Sequence, residues 1–227
     1  MKKVVLITGG SEGLGYEIAK ILAPKHTVII NAPDEQKLKK VAKAIKCEHE
    51  AFDVSDHIEV QKAADNIIQK YGGLDCLINN AGIWTEGKIE NQNPHLIKRV
   101  LEVNALGPIF VSRAFIPSMK NRGSGTIINV VSQDGLFGKK DHTSYCASKF
   151  ALTGFTKSLE AEVKEYGIKV IGIYPGLLKT GLFEKIGVKK DMSSALEPAE
   201  VAKLIKFIVE SDSQTTFPGI EIKFLKN

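Results

Sequence analysis

The stretch "TGGSEGLGYEIAKIL" (residues 8–22) decides the fold that this chain can adopt. It follows a short apolar run at 3–8, carries glycines at positions 9, 13 and 15, and leads into a segment with apolar residues at helical spacing. A strand, a glycine turn and a helix in this order let the backbone approach a diphosphate, and the free N–H groups at the helix start favour negative charge. A tight left-handed turn that binds no ligand has the same composition, so the turn alone leaves both interpretations open.

Apolar runs and helical segments alternate along the rest of the chain. After 3–8, the predicted strands are 27–31, 50–52, 74–80, 125–132, 169–175 and 220–224, and the predicted helices are 13–23, 34–46, 56–71, 94–121, 143–166 and 198–210. Most of these strands are nearly continuous in hydrophobic residues, as expected where helices cover both faces of a parallel sheet. We therefore predict a single α/β domain over residues 1–227, a Rossmann-type doubly wound parallel sheet in three α/β/α layers. Ligands are expected at the carboxyl ends of its strands.

The composition argues against several classes of function. Hydrophobic residues make up 43% of the 227 residues, and no apolar stretch approaches the roughly 20 residues of a membrane span. The net charge of +5 comes from dispersed lysines and only 7% of residues are aromatic, so no nucleic-acid partner is expected. The five histidines are scattered and the three cysteines are far apart, which predicts no metal site and no disulfide framework. Reduced cysteines favour a cytoplasmic location.

A second stretch, "VVSQDGLFGKKDHTSYCASKF" (130–150), brings three reactive side chains together. Tyr145 and Lys149 are four residues apart, so they share one face of the predicted helix, and Ser132 ends the preceding apolar run. Reduction of a carbonyl by a nicotinamide needs a proton for the developing alkoxide, and a free tyrosine has a pKa of about 10. An ammonium neighbour and the positive nicotinamide ring favour the phenolate and lower that pKa. The alternatives without a catalytic role are a surface pair for Tyr145 and Lys149, and a strand-end hydroxyl that caps a loop for Ser132.

Five motifs in order then resemble the short-chain dehydrogenase/reductase family, in its short single-domain branch. The glycine turn has G-x-x-x-G-x-G spacing rather than the common G-x-G-x-x-G. It is followed by "NNAG" (79–82), by "VN" ending at Asn104, by Ser132 with "YCASK" (145–149), and by "PG" (175–176) with Thr180. The resemblance covers nearly the whole chain. It implies an NAD(P)-dependent oxidoreductase that interconverts a secondary alcohol and a ketone by hydride transfer.

The resemblance also implies a role for each of four catalytic residues. Tyr145 is the expected acid/base, and Lys149 is expected to lower its pKa and to bind the nicotinamide ribose. Ser132 is expected to orient the carbonyl, which explains why no Asp/His pairing activates it as a nucleophile. Asn104 is expected to hold a water molecule in a proton relay through Lys149.

The residues expected to hold the cofactor follow the strand ends. They are Gly9, Ser11, Glu12, Gly13, Leu14, Gly15, Asn31, Asp34, Asp53, Val54, Asn80, Ala81, Gly82, Tyr145, Lys149, Pro175, Gly176 and Thr180. The cofactor is NAD or NADP, and the position that is usually acidic in NAD-dependent relatives is Ala32 here. Glu12 would repel a 2′-phosphate, which favours NAD. Lys37 and Lys39 would favour NADP if they fold back, while Asp34 is either a ribose ligand or a helix N-cap.

The substrate side is less defined by the sequence. A lid is predicted at about 177–197, where glycines punctuate a mixed apolar and charged loop, and Trp84 either touches substrate or packs. The expected partner is a small carbonyl or alcohol, and activity like that of a 3-oxoacyl-(acyl carrier protein) reductase is a further option. The alternative outside enzymes is a catalytically weak nicotinamide-binding regulator or sensor. The resemblance also implies a homodimer or homotetramer, since relatives commonly associate through the helices that correspond to 94–121 and 143–166.

Overall fold

The computed structural model describes residues 1–184, 187–212 and 214–225. Within these ranges one parallel sheet of seven strands has the order β3-β2-β1-β4-β5-β6-β7. Its strands are β1 Val4–Thr8, β2 Thr27–Asn31, β3 Glu48–His49, β4 Cys76–Asn79, β5 Gly125–Val130, β6 Ile168–Pro175 and β7 Gly219–Ile222. The chain order reverses beside β1, which makes the sheet doubly wound and confirms the predicted fold class.

Helices cover both faces of this sheet. They are α1 Gly13–Leu22, α2 Glu35–Ile45, α3 His57–Tyr71, α4 Pro94–Leu101, α5 Gly107–Arg122, α6 Thr143–Val163 and α7 Pro198–Glu210. Side chains of α1, α2 and α7 form one buried cluster against the sheet, and side chains of α3, α5 and α6 form the other. The carboxyl ends of the strands, which these helices do not cover, remain open to a ligand.

The third strand is shorter and earlier than predicted. It covers Glu48–His49 rather than residues 50–52. The cause lies in Asn31 at the end of β2, whose side-chain amide donates to the carbonyls of Glu50 (3.2 Å) and Phe52 (2.8 Å). The N–H of Glu50 still donates to the carbonyl of Ile30 at 3.0 Å, so the Asn31 side chain adds to the last backbone contact before the chain leaves the sheet toward the cleft.

The predicted helix 94–121 is interrupted by a π-turn over Glu102–Leu106. Pro108 explains the interruption, because it has no N–H to donate to the carbonyl of Asn104 four residues earlier. The π-turn separates α4 from α5 and faces Asn104 into the protein, where it is fully buried.

The combined segment Pro94–Arg122 passes a length and composition test for a membrane span, with a window of mean hydropathy 1.2. The expectation that no apolar stretch approaches the length of a membrane span is therefore too strict, since this segment does. However, 56% of that window is buried within the protein. We interpret the segment as a core helix, since α5 contributes Val111 and Phe115 to the cluster beneath the sheet.

Candidate functional site

A cleft with a volume of about 530 Å³ runs along the carboxyl ends of the central strands. It is lined by the segments that follow β1, β2, β4, β5 and β6, together with Arg99 and Val103. Of the predicted site residues, all within the described ranges, Gly15 and Asn104 do not line it. The predicted catalytic and cofactor residues that do line it are Gly9, Ser11, Glu12, Gly13, Leu14, Asn31, Asp34, Asp53, Val54, Asn80, Ala81, Gly82, Ser132, Tyr145, Lys149, Pro175, Gly176 and Thr180.

The glycine turn forms one wall of this cleft and needs its glycines for different reasons. Gly9 and Gly13 have φ values of +64° and +54°, in the left-handed region that side chains with a Cβ rarely adopt. A Cβ on Gly15 would lie 2.2 Å from the carbonyl oxygen of Gly9, so Gly15 serves the packing of α1 on the turn. Thr180 faces the turn across the cleft, 3.3 Å from where a Cβ on Gly13 would stand. The cradle of N–H groups at the start of α1 fits a diphosphate.

Asn80 fixes the bottom of the cleft between β1 and β4. Its side-chain amide donates to the carbonyls of Thr8 (3.0 Å) and Gly9 (3.1 Å), and its backbone N–H donates to the Thr8 hydroxyl (3.0 Å). The end of β4 and the glycine turn are thereby held as one unit, and the backbone at Ala81 and Gly82 lines the cleft beside them.

At the end of β2, Asp34 is the N-cap of α2. Its carboxylate accepts from the backbone N–H of Lys37 at 3.0 Å, and the residue also lines the cleft. Lys37 Nζ lies 2.5 Å from Glu12 Oε2, so the cation and the carboxylate are paired across the cleft mouth. Lys39 pairs with Glu35 at 2.6 Å and does not reach the cleft. We call this group of Glu12, Asp34 and Lys37 the ribose end.

Asp53 has a partner that the sequence did not reveal. Arg99, from α4, lies 2.5 Å from its carboxylate, and Ser55 donates to it through the backbone (2.9 Å) and the hydroxyl (2.8 Å). Burial raises the pKa of Asp53, but the hydrogen bonds from Ser55 and the charge of Arg99 together hold it below its usual value. Nothing in the spacing of Arg99 pointed to this contact, because it joins α4 to the loop after β3.

The three reactive side chains meet at the opposite end of the cleft. Ser132 lies two residues beyond the end of β5, not within the strand as predicted, and Tyr145 and Lys149 project from α6. Tyr145 is 7% exposed and Lys149 is 4% exposed. Lys149 Nζ donates to the carbonyl of Val130 at 3.2 Å and lies 5.7 Å from the centre of the Tyr145 ring. We call Ser132, Tyr145 and Lys149 the reaction end.

Burial controls the ionisation of this pair. Burial raises the pKa of Tyr145, as does the charge of Asp134, while a hydrogen bond with Ser132 lowers it. Burial lowers the pKa of Lys149 to about 8, against an opposing contribution from Asp134. The expectation that Lys149 lowers the pKa of Tyr145 is therefore not met by the protein's own groups, because desolvation penalises both charged forms. Tyr145 keeps its proton at neutral pH.

Asn104 lies behind the cleft wall. Its side chain accepts from the backbone N–H of Ile83 (2.8 Å) and donates to the carbonyl of Ile83 (2.8 Å) and to the Ser148 hydroxyl (3.1 Å). It thus ties the π-turn to α6 and to the loop after β4. Gly82 separates it from Lys149: a Cβ there would stand 3.3 Å from Asn104 Oδ1 and 3.8 Å from Lys149 Nζ.

Beyond the reaction end, Trp84 both packs and lines the cleft. It is 3% exposed and meets Phe183 edge-on at 4.6 Å between ring centres. Lys190 Nζ lies 4.6 Å from the Trp84 ring centre and 3.3 Å from Glu86 Oε2. An aromatic side chain and a cation therefore close this end of the cleft.

Besides Arg99, two further polar residues of the cleft were missed from the sequence. Asp134 and His142 both line it, and His142 Nδ1 lies 2.6 Å from Asp134 Oδ2. A signal was available, since Asp134 is two residues after Ser132 and His142 is three residues before Tyr145. Closeness along the chain is only a weak signal, since Asp141, four residues before Tyr145, does not line the cleft.

The segment that carries Phe183 and Lys190 is closed at its base. Leu178 and Leu196 form an isolated parallel bridge, the N–H of Leu196 donates to the carbonyl of Leu177 at 2.8 Å, and the N–H of Lys179 donates to the carbonyl of Leu196 at 3.0 Å. The predicted lid thus begins and ends at one point beside β6. Its residues 185 and 186 lie outside the described part of the chain.

The doubly wound sheet and this cleft define a dinucleotide-binding α/β protein with a Tyr–Lys reaction end. Residues 3–191 match the family model described as short chain dehydrogenase. The chain belongs to the short-chain dehydrogenase/reductase family, as the sequence motifs indicated, and is an NAD(P)-dependent oxidoreductase acting on CH–OH donors.

Named relatives support this assignment along nearly the full chain. A 3-alpha-(or 20-beta)-hydroxysteroid dehydrogenase of Mycobacterium bovis is 32% identical over 93% of this chain and 84% of its own. A gluconate 5-dehydrogenase of Burkholderia cenocepacia, solved with NADP and tartrate, superposes with a TM-score of 0.89 at 27% identity, covering 98% of this chain and 94% of its own. A 3-ketoacyl-(acyl-carrier-protein) reductase of Brucella melitensis, solved with NADH, gives 0.87 at 28% identity, covering 97% and 96%. These neighbours carry different nicotinamide cofactors.

Proposed function

We propose that this protein reduces the ketone group of a small or medium-sized molecule to a secondary alcohol, and catalyses the reverse oxidation. The observation that carries the proposal is the placement of Ser132, Tyr145 and Lys149 at one end of a cleft that has a diphosphate cradle at its other end. The domain, residues 1–227, acts as one catalytic unit. Segment 177–197 acts as a lid, because Phe183 and Lys190 close the cleft over the reaction end.

The cofactor would be held by the glycine turn, by Asp53 and Val54 at the adenine side, and by Lys149 near the reaction end. A bound nicotinamide supplies or accepts the hydride. Tyr145 donates its phenolic proton to the substrate oxygen as negative charge develops there. Its raised pKa suits this step, since the proton is present at neutral pH.

The other residues of the reaction end position and restore this proton. Ser132 hydrogen-bonds the substrate oxygen and holds it against the Tyr145 hydroxyl. Lys149 stabilises the phenolate that remains after proton donation. The side chain of Asn104 positions Ile83 and Ser148. Its backbone carbonyl, which Pro108 leaves without an α-helical donor, holds a relay water behind Lys149.

We propose NAD as the preferred cofactor. Glu12 faces the cleft from the glycine turn and Asp34 lines it from the other side, so two carboxylates flank the place where NADP would carry its 2′-phosphate. Lys37 is the residue that opposes this preference, but its ammonium is engaged with Glu12 at 2.5 Å.

The proposal is tested by Tyr145→Phe, with Tyr166→Phe as a matched control outside the cleft. Tyr145→Phe should reduce turnover at least about 1,000-fold, because the substrate oxygen loses its proton donor. It should retain cofactor binding, measured as a thermal shift of the protein with NADH. Tyr166→Phe should retain full activity. If the Tyr145→Phe protein kept most of its turnover, the assigned proton donor would be wrong.

The thermal shift with NADH and the turnover of ketones together distinguish the enzyme from the alternative, a nicotinamide-binding regulator. A regulator would bind NADH and show the thermal shift, but would oxidise it with none of a panel of ketones. The presence of Ser132, Tyr145 and Lys149 together in the cleft supports the enzyme, since a regulator has no need of all three. Reduction of acyl carrier protein thioesters is the second candidate activity, supported by the resemblance to the Brucella melitensis reductase.

We propose a cytoplasmic homodimer or homotetramer. Three cysteines, Cys47, Cys76 and Cys146, are free thiols in the structure, as in a reducing compartment. Exposed apolar side chains at Leu101, near the end of α4, and Phe150 on α6 support association through these helices. Light scattering after size-exclusion chromatography measures the assembly directly, and a mass of one chain would overturn this part of the proposal.

A further inference from the structure

The cleft contains a pair of polar side chains that the proton transfer described above does not use. Asp134 and His142 are joined by a 2.6 Å contact between Oδ2 and Nδ1, and both line the cleft with Tyr145. The side chains are 16% and 6% exposed, respectively. A carboxylate so shielded from water is costly unless hydrogen bonds compensate it, so its presence beside the reaction end requires a reason.

His142 is fixed on two sides. Its ring meets Trp84 edge-on at 5.2 Å, and Nε2 lies 3.8 Å from Glu86 Oε2, beyond hydrogen-bond distance. Lys190 approaches Glu86 more closely, at 3.3 Å. The role left for His142 is to hold the Asp134 carboxylate through Nδ1.

Asp134 is held equally firmly from its backbone. Its N–H donates to the Ser132 hydroxyl at 3.1 Å, which fixes the backbone of Asp134 beside the group proposed to bind the substrate oxygen. His142 occupies Oδ2, and the described residues give Oδ1 no hydrogen bond. An acceptor that lines the cleft is therefore open to a donor on the substrate, close to the reacting carbonyl.

We propose that Asp134, oriented by His142, recognises a hydroxyl group on the carbon next to the reacting carbonyl. The substrates are then α-hydroxy ketones, and the products are vicinal diols. This inference rests on the proposed function and adds the substrate class. We place the hydroxyl on the adjacent carbon because Asp134 follows Ser132 by two residues, its backbone is bonded to the Ser132 hydroxyl, and both residues line the cleft. A carboxylate at this place also repels substrates with an anionic group there.

Two ketones of nearly equal shape test the inference. 2-Hydroxy-1-phenylethanone has a hydroxyl next to the carbonyl, and 2-methoxy-1-phenylethanone has the same electron-withdrawing oxygen without a proton to donate. The phenyl ring suits the apolar side chains of Leu177, Leu182 and Phe183 at this end of the cleft. The unmodified protein should reduce the hydroxy ketone with a kcat/KM roughly 10- to 100-fold above the methoxy ketone, as expected for a hydrogen bond to a charged group.

The matched variants are Asp134→Asn and Asp141→Asn. Both remove one carboxylate from the same loop, but Asp141 does not line the cleft. Asp134→Asn should bring the ratio of the two kcat/KM values to within about 3-fold of one, mainly through loss of the hydroxy ketone. Asp141→Asn should keep the ratio of the unmodified protein. A retained thermal shift with NADH shows that each variant is folded.

Other results would contradict the role of Asp134, the substrate class or the proposed function, and each can be told apart. If the Asp134→Asn protein kept the ratio, or lost both substrates equally, Asp134 would serve the loop structure alone. If the unmodified protein preferred the methoxy ketone, or reduced only ketones without the hydroxyl, the substrate class would be wrong while the proposed reductase activity stood. If it reduced no ketone at all, the proposed function itself would fail.

Discussion

The two ends of the cleft hold their polar side chains in different ways. At the reaction end, Tyr145 and Lys149 are 7% and 4% exposed, and Lys149 is anchored on a strand carbonyl. At the ribose end, Glu12 and Lys37 form an ion pair with side chains that are 41% and 46% exposed. Buried charges interact strongly and respond to every neighbour, whereas an exposed pair contributes about 0–1 kcal/mol and is screened by salt.

This difference separates two properties of the enzyme. The chemistry depends on groups that the core holds in one arrangement, so single changes there should be severe. Cofactor preference depends on groups in water, so changes there should be small and should depend on ionic strength. Substitutions at the two ends, taken from the largest expected effect to the smallest, test whether burial is the cause of the difference.

The largest effect is expected at Lys149. Lys149→Met should lower kcat about 100- to 10,000-fold, because the phenolate of Tyr145 loses its stabilising cation in a buried site. Steady-state kinetics with a reactive ketone measures this loss. Lys157→Met changes an exposed lysine of the same helix and should leave kcat unchanged. A Lys149→Met protein with more than a third of the original kcat would remove the distinction between the two ends.

The next largest effect is expected at the glycine turn, where the wall of the cleft is as closely packed as the reaction end. Gly15→Ala should lower the free energy of unfolding by about 1–3 kcal/mol or more, because its Cβ would stand 2.2 Å from the Gly9 carbonyl oxygen. Gly154→Ala has no atom within 4 Å of its Cβ and should be neutral or stabilising. Denaturant unfolding compares them. Equal stability of the two variants would show that the turn can relax.

A pH profile examines the charges of the reaction end. Burial and then the charge of Asp134 raise the pKa of Tyr145, so Asp134→Asn removes one raising contribution and the pKa falls. Alcohol oxidation needs the phenolate, and its rate should therefore reach half its maximum at a lower pH in the Asp134→Asn protein. The shift applies to every substrate, unlike the hydroxyl preference. An unchanged or higher midpoint would contradict the charge contact.

The smallest effect is expected at the ribose end. Glu12→Gln removes a carboxylate and frees Lys37, so the ratio of kcat/KM for NADP over NAD should rise about 3- to 10-fold, less so in high salt. Glu35→Gln breaks the pair with Lys39 away from the cleft and should leave the ratio unchanged. A 1,000-fold change in this ratio for Glu12→Gln would show that the ribose end is as sensitive to substitution as the reaction end.

Prediction from the sequence succeeded where one local pattern determined the structure. The apolar runs gave β1, β2 and β6 within a residue or so, and the i, i+4 spacing placed Tyr145 and Lys149 on one face of α6. The sequence-based site roles are not tested by this geometry, but most of the named residues lie along one cleft.

It failed where long-range contacts decided the outcome. Beyond β3 the side chain of Asn31 binds the carbonyls of Glu50 and Phe52, and no local pattern shows such a contact. The contact of Arg99 with Asp53 joins segments that are 46 residues apart. Burial raises the pKa of Tyr145 in the protein alone, an effect that the sequence did not reveal, because it showed the ammonium of Lys149 but not the extent of burial.

The bridge between Leu178 and Leu196 has a consequence for how such enzymes diversify. Because the two ends of this segment are fastened together beside β6, the chain between them can be lengthened, shortened or exchanged with little cost in loop-closure entropy. The segment can therefore be exchanged while the rest of the domain stays the same. Grafting the corresponding segment of another family member between these two leucines offers a direct route to new substrate preferences.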